Sequence, residues 1–368
     1  MTEGETPGAG RFAPSPSGDL HVGNLRTAVL AWLWAKATGR RFKLRIEDLD
    51  RVRSGAADSQ IADLTALGLM WDAPVMYQST RLDVHRRAID YLVEQGLVFE
   101  CYCSRRDIRE AASAPHRPPG HYPGTCLNLS DAERGRRRAA LAESGRRPAL
   151  RLRAPMDEWT IHDELYGEVR APVDHFVIQR SDGTPAYNLA VVLDDAAQGV
   201  DQVTRGDDLL SQAPAQGALA DMLGIDQVNF VHVPLALAAG TGQRLAKRDG
   251  AVTLSDLRTL GWTVSDVIEW IGESLGVRGA RSINDLSDAL DLSALRALPR
   301  EPWMVTPPSQ IKQNPDRWIA PSGAAARSKG LEPPTFWFGP SNNVINLNRY
   351  RASHVSGGEL IKTLGSLA

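Results

Sequence analysis

Between Arg11 and Asp50 the apolar positions change their period twice. Phe12 and Ala13 close a short extended run, and Pro14-Ser15-Pro16-Ser17-Gly18 forbids helix and forces a turn. From His21 onward Leu25, Val29, Leu30, Leu33 and Trp34 recur at helical spacing, with Gly39 as the stop. Phe42, Leu44 and Ile46 then alternate as in a strand, which delivers Glu47, Asp48 and Asp50 at its carboxyl end. Strand, loop, helix and strand within about forty residues predict a βαβ unit. The fold class is therefore α/β with a parallel sheet, whose ligands gather beyond the carboxyl ends of the strands.

Asp58 to Leu69 and Leu82 to Gln95 are predicted as two further helices on the same sheet. From Cys101 to about Arg153 the character changes: all three Cys, a Pro-rich stretch from Pro115 to Pro123 and many Arg mark an insertion. The runs Phe176-Val177-Ile178 and Ala190 to Leu193 predict that the sheet resumes near residue 174, and amphipathic segments follow at Ser255 to Ser274 and Ile283 to Leu298. The expected division is a disordered start (1–10), a first α/β half (11–100), the insertion (101–173), a second half (174–250), a helical part (251–310) and a poorly ordered tail (311–368). The tail holds seven basic and three acidic residues, so its net charge is +4 and the body carries −6.

Composition narrows the class. A length of 368 residues allows two or three domains, and 42% hydrophobic with 23% charged residues describes an ordinary folded protein. Lys+Arg 42 against Asp+Glu 44 excludes a uniformly basic nucleic-acid-binding surface but not a local patch. An odd count of 3 Cys excludes a disulfide-stapled scaffold. No apolar run approaches the ~18 residues that cross a bilayer, and Met1 to Gly10, with Glu3 and Glu5, lacks the pattern of a signal peptide. A cytoplasmic, reduced protein is expected, monomeric and without a membrane partner.

Of three clusters that carry candidate chemistry, two suit a phosphate-bearing ligand. Arg11 to Asn24 ends in His21-Val22-Gly23-Asn24 at the entrance of the first helix. Free N–H groups and the dipole there suit a phosphate, Gly23 permits close approach, and His21 can donate to a phosphate oxygen. Arg244-Leu245-Ala246-Lys247-Arg248 follows the Gly240-Thr241-Gly242 turn, and cations on a Gly-flanked loop suit a polyphosphate.

In this order the clusters resemble the HIGH and KMSKS signatures of class I aminoacyl-tRNA synthetases. Arg11-Phe12-Ala13-Pro14-Ser15-Pro16-Ser17-Gly18, His21 to Asn24 and Arg45-Ile46-Glu47-Asp48-Leu49-Asp50 are similar to the glutamyl-tRNA synthetase family, as are Ala186 to Ala190 and Val203 to Asp208. The resemblance implies a Rossmann-like catalytic domain that joins L-glutamate to ATP, with Mg2+, as an adenylate. It puts glutamate on Arg11, Phe12, Ala13, Pro14, Ser15, Glu47, Tyr187 and Arg205. ATP falls to His21, Gly23, Asn24, Arg244 and Lys247, with His21 and Lys247 catalytic. The residue types agree with this: Glu47 is an anion for the ammonium, and Arg11 and Arg205 are forks for carboxylates. Three positions depart from the signatures, with Asn24 for the second His, Arg244 for the first Lys and Ala246 for the Ser.

The third cluster is Cys101-x-Cys103, then eighteen residues, then Tyr122-x3-Cys126. Thiolates at this spacing are soft ligands for one structural Zn2+, and the fourth ligand is open among His116, His121 and Tyr122. Chemistry alone favours His, because a phenol is an uncommon ligand. The resemblance points to Tyr122, since this spacing marks a truncated paralogue of the family.

Only 62 residues separate Arg248 from the tail, which is small for an anticodon-reading domain. That architecture resembles the truncated branch of the family. It implies activation of glutamate without tRNA, then transfer to the queuosine at the wobble position of tRNA(Asp), with the anticodon stem-loop as partner. Residues 134–153 hold eight Arg and one acid, which fits either a stem-loop backbone or a solvated helix face. Two other functions suit the same residues: a charging enzyme without an anticodon reader, and a catalytically silent binding module.

Overall fold

A computed structural model describes residues 8–104, 106–108, 122–243, 245 and 252–306. In chain order the strands are β1 (Ala9–Phe12), β2 (Arg41–Ile46), β3 (Met76–Tyr77), β4 (Val98–Cys101), β5 (Ala149–Leu152) and β6 (Glu158–Asp163). They continue with β7 (Gly167–Pro172), β8 (Val177–Gln179), β9 (Val200–Gly206), β10 (Asn229–Val233), β11 (Ala236–Ala238) and β12 (Trp303–Val305). The helices are α1 (Val22–Ala37), α2 (Ala56–Ala66), α3 (Leu82–Glu94), α4 (Asp131–Glu143) and α5 (Tyr187–Ala197). After them come α6 (Ala213–Met222), α7 (Leu254–Thr259), α8 (Val264–Ser274), α9 (Ile283–Ala289) and α10 (Leu292–Arg296).

Seven strands form one sheet in the order β3-β2-β1-β9-β10-β6-β7. Every pairing is parallel except the β6–β7 hairpin. The strand order reverses at β1, where β2, the next strand in the chain, lies on one side and β9, entered much later, on the other, so a crevice opens at the carboxyl ends of β1 and β9. Three of the site's residues follow from this: Arg11 near the end of β1, Glu47 just past β2, and Arg205 near the end of β9.

Helix α1 forms the centre of the core. Leu25, Leu30, Leu33 and Trp34 are fully buried because residues of the sheet cover one side and α9 and α10 cover another. A helix apolar on all faces requires such double cover, and each buried Leu contributes roughly 1.5–3 kcal/mol. Gly10 lets β1 press against α1, since a Cβ there would stand 2.9 Å from the Ala35 Cβ.

Two expectations about strands need correction. Ala190 to Leu193 is a buried turn of α5, not a strand. A four-residue apolar run has the same pattern in a buried helix as in a strand. The run at Phe176 to Ile178 does give β8, but β8 pairs with β5 in a separate antiparallel sheet, β4-β5-β8. Conversely β6 and β7, inside the expected insertion, belong to the large sheet. Alternation identifies strands without saying which sheet they join. The two C-terminal amphipathic segments each divide into two capped helices, with capping boxes at Thr253, Thr263 and Ser282. The expectations for the tail at 311–368 lie outside the described residues. Among the described residues no helix is long and apolar enough to cross a membrane.

Candidate active site

A cavity of about 1150 Å³ opens at the crevice and is lined by Arg11 to Ser15, His21, Gly23, Asn24, Glu47, Tyr187 and Arg205. The structure thus brings together all the described residues singled out at this end of the sheet. Arg244 and Lys247 lie outside the described residues.

One wall is built from buried opposite charges. Arg11, 3% exposed, donates from Nε to Asp195 Oδ1 at 3.2 Å and from Nη1 to the Thr204 carbonyl at 2.9 Å. Arg45 donates to the same Asp195 oxygen at 2.6 Å, to Gln198 Oε1 at 3.0 Å and to Glu47 Oε1 at 3.2 Å. Burial pushes the Glu47 carboxyl above the usual carboxylate range, against the pull of Arg45 and Arg11. A cation arriving beside Glu47 would supply the attraction that water no longer does.

The other wall carries a cation with no carboxylate among its hydrogen-bond partners. Arg205 donates to His232 Nε2 at 3.0 Å, to Gln216 Oε1 at 2.8 Å, to the Tyr187 hydroxyl at 3.5 Å and to the Leu209 carbonyl at 3.4 Å. All these partners are neutral acceptors, and the side chain is 6% exposed. A buried guanidinium without a carboxylate is costly unless an anion completes the site. Tyr187, 38% exposed, presents its ring to the cavity.

His21 caps α1. Its Nδ1 accepts from the Asn24 backbone N–H at 3.2 Å, while Asn24 Oδ1 accepts from the His21 N–H at 3.3 Å. This capping box gives Asn24 a structural role at the position where the signature has a second His. An accepting Nδ1 puts the proton of the neutral ring on Nε2. Gly23 is buried, and a Cβ there would lie 2.8 Å from the Ala236 Cβ, so packing as well as ligand approach requires glycine.

At the far end of the same cavity, Cys101 and Cys103 line the wall. The three thiol sulfurs of Cys101, Cys103 and Cys126 lie within 4.8 Å of one another, with Cys103 and Cys126 at 3.5 Å. A tetrahedral metal with bonds of ~2.3 Å to sulfur sets its ligands roughly 3.8 Å apart, so this cluster can hold a metal ion. Tyr122 Oη lies 3.6 Å from Cys101 Sγ and accepts from the Cys126 N–H at 2.8 Å. The Arg151 guanidinium stacks 3.9 Å from the centre of the Tyr122 ring, a compensating charge for thiolates. His116 and His121 lie outside the described residues.

Four of the eight Arg of the 134–153 segment are ion-paired. On the exposed helix α4, Arg134 pairs with Asp131, Arg136 and Arg137 with Glu133, and Arg138 with Glu100 at 2.6 Å. Sequence reasoning did not single out Asp195, His232, Asp163 or Gln216. Asp195 had one visible signal, as an acid inside the apolar stretch from Leu189 to Ala197.

The catalytic-domain family described as tRNA synthetases class I (E and Q) matches residues 9–282. A glutamyl-Q tRNA(Asp) synthetase of Nocardia farcinica is 57% identical over 299 residues, which is 81% of this chain and 93% of that protein. A glutamate–tRNA ligase 2 of Chelativorans is 42% identical over 276 residues, 73% of this chain but 56% of that protein. Among solved structures, a glutamate tRNA ligase of Elizabethkingia meningosepticum in complex with its amino acid superposes with a TM-score of 0.67 at 23% identity, over 82% of this chain and 67% of that one.

Proposed function

The chain belongs to the class I tRNA synthetases of the glutamate and glutamine group, and from that premise we propose that it activates L-glutamate with ATP and transfers it to the queuosine of tRNA(Asp). The observation that carries this reading is the charge layout of the cavity, which is lined both by the half-buried acid Glu47 and by a buried cation, Arg205, whose hydrogen-bond partners are all neutral. Glutamate has the matching groups, an ammonium for Glu47 and a side-chain carboxylate for Arg205. The 57% identity to the Nocardia glutamyl-Q relative across 93% of its length favours this acceptor.

Activation brings two anions together, so positioning and cations do most of the work. The α-carboxylate attacks the α-phosphorus of ATP, the bond to the bridging oxygen breaks, and pyrophosphate leaves. The amino end of α1, with the His21 Nε2–H and the backbone at Gly23, receives the phosphates, and Lys247 neutralises the charge that develops on them. In the second step a queuosine hydroxyl attacks the carbonyl carbon of the mixed anhydride, gives up its proton, and AMP departs. Activation without tRNA is part of this reading because the chain resembles the glutamyl-Q branch, to whose Nocardia member it is 57% identical.

Cys101, Cys103, Cys126 and Tyr122 would hold one Zn2+ in a structural role, with no open coordination position. Incubation with ATP, Mg2+, labelled glutamate and tRNA(Asp) tests the whole reading. Label should enter tRNA(Asp) that contains queuosine and not the unmodified tRNA. Label on the 3′ end of tRNA(Glu) would instead identify a charging enzyme.

A further inference from the structure

Arg205 is held from behind by two fully buried residues of neighbouring strands. Asp163, at the end of β6, accepts four N–H groups: those of Leu165 at 2.9 Å and Tyr166 at 3.0 Å on Oδ1, and the His232 backbone at 3.0 Å and ring Nδ1 at 2.7 Å on Oδ2. With four donors placed around it this carboxylate is fixed. His232, on β10, then has only one arrangement that satisfies both of its neighbours. An arginine Nε can only donate, so His232 Nε2 must offer a lone pair to it at 3.0 Å. The ring proton therefore sits on Nδ1 and faces Asp163.

We infer that His232 is a positioning residue: anchored by Asp163, its Nε2 lone pair occupies Arg205 Nε and turns the terminal N–H groups of that guanidinium towards the substrate side-chain carboxylate. This rests on the glutamate site proposed above. The other partners support this, because Gln216 takes one N–H of Nη1 at 2.8 Å while the Tyr187 hydroxyl approaches Nη1 at 3.5 Å and the Leu209 carbonyl approaches Nη2 at 3.4 Å, both from longer range. The Phe230 ring lies 5.2 Å from the guanidinium carbon and stacks on His232 at 5.6 Å, so the plane is held as well as the direction. A neutral His232 is essential to this arrangement. Protonation would set two donors and two positive charges face to face in a dry site. The charged groups around the ring are Asp163 on β6, Arg205 on β9 and Arg11 on β1. Burial keeps the imidazole below its ordinary value, with Arg205 and Arg11 acting in the same direction against Asp163.

Three variants separate positioning from packing. His232→Asn keeps a donor for Asp163 but has no atom that reaches Arg205. Its KM for glutamate in pyrophosphate exchange should rise about 10- to 100-fold, the effect of losing a hydrogen bond to a charged group, while KM for ATP stays within about twofold. His232→Gln restores an acceptor near Arg205 and should recover much of the loss. It should also flatten the acid limb of the glutamate kcat/KM profile, since an amide does not titrate. His232→Phe keeps the ring and should resemble His232→Asn. Equal KM values for glutamate in wild type and a folded His232→Asn protein would overturn the inference, as would parallel rises for glutamate and ATP. A readout independent of activity is the nitrogen NMR of labelled histidine, where His232 should show protonated Nδ1 and bare Nε2 at neutral pH. The opposite tautomer, or an imidazolium, contradicts the inference whether or not glutamate proves to be the substrate.

Discussion

Arg45 and Asp195 meet at 2.6 Å with side chains 0% and 7% exposed, and the same carboxylate oxygen also holds Arg11. Three elements far apart in sequence, β1, β2 and α5, are locked at the site by one acid. Burial alone would raise the Asp195 carboxyl, yet Arg11 and Arg45 outweigh it and hold it below the usual range. Replacing Asp195 with Asn leaves two buried guanidinium groups sharing a neutral partner. The variant should lose about 3 kcal/mol in urea denaturation and bind glutamate more weakly. Because the folded value is depressed, this stabilisation is present above the unfolded value of ~3.9 and is lost as pH falls below it. The wild-type protein should therefore lose more stability on acidification than Asp195→Asn, and equal slopes would contradict the ion-pair account.

Asp63, on α2, has the opposite sign. Burial pushes its carboxyl up to about 6, against the pull of Arg258 and with help from Asp19. The folded protein then binds a proton that the unfolded chain has released, so this group costs stability as pH rises through that interval, and the cost persists at neutral pH. Asp63→Asn should melt ~2–4 °C above wild type at pH 7.5, with the gap closing near pH 4. A lower melting temperature at pH 7.5 would show that the Arg258 attraction dominates.

The thiol cluster predicts one zinc per chain by elemental analysis. Cys103→Ser and Cys126→Ser should each lose most of the metal, and a chelator should lower the wild-type melting temperature but leave that of the metal-free variants unchanged. Tyr122→Phe removes the Oη that lies beside Cys101 and should weaken retention about tenfold or more. Full zinc occupancy in Tyr122→Phe would favour a histidine as fourth ligand.

Lys247 is assigned from the resemblance of its loop to the KMSKS signature. Lys247→Ala should lower the rate of glutamate activation about 100- to 1000-fold, with little effect on folding, as read by single-turnover adenylate formation. An unchanged rate would remove it from the reaction.

The sequence revealed the parts whose logic is local. The period changes between Arg11 and Asp50 predicted β1, α1 and β2 in order, and the Gly39 stop has a positive φ of 68° in the structure. The two helices that follow lie within a few residues of the expected bounds. What stayed hidden depends on distant partners. Arg45 finds Asp195 150 residues away and His232 finds Asp163 69 residues away, and nothing near these residues in sequence announces those partners. The sheet membership of β6 was hidden for a related reason: within the expected insertion, it joins the large sheet through Phe230, a contact no local pattern encodes. Asn24 departs from the signature in sequence, and the cap geometry supplies its structural reason.

Pyrophosphate exchange into ATP, measured with glutamate, Mg2+ and no RNA, tests the central claim most directly. The account predicts exchange that depends on glutamate, fails with glutamine and aspartate, and does not need tRNA. Exchange that appears only when tRNA is added, or none with glutamate under any condition, would contradict it.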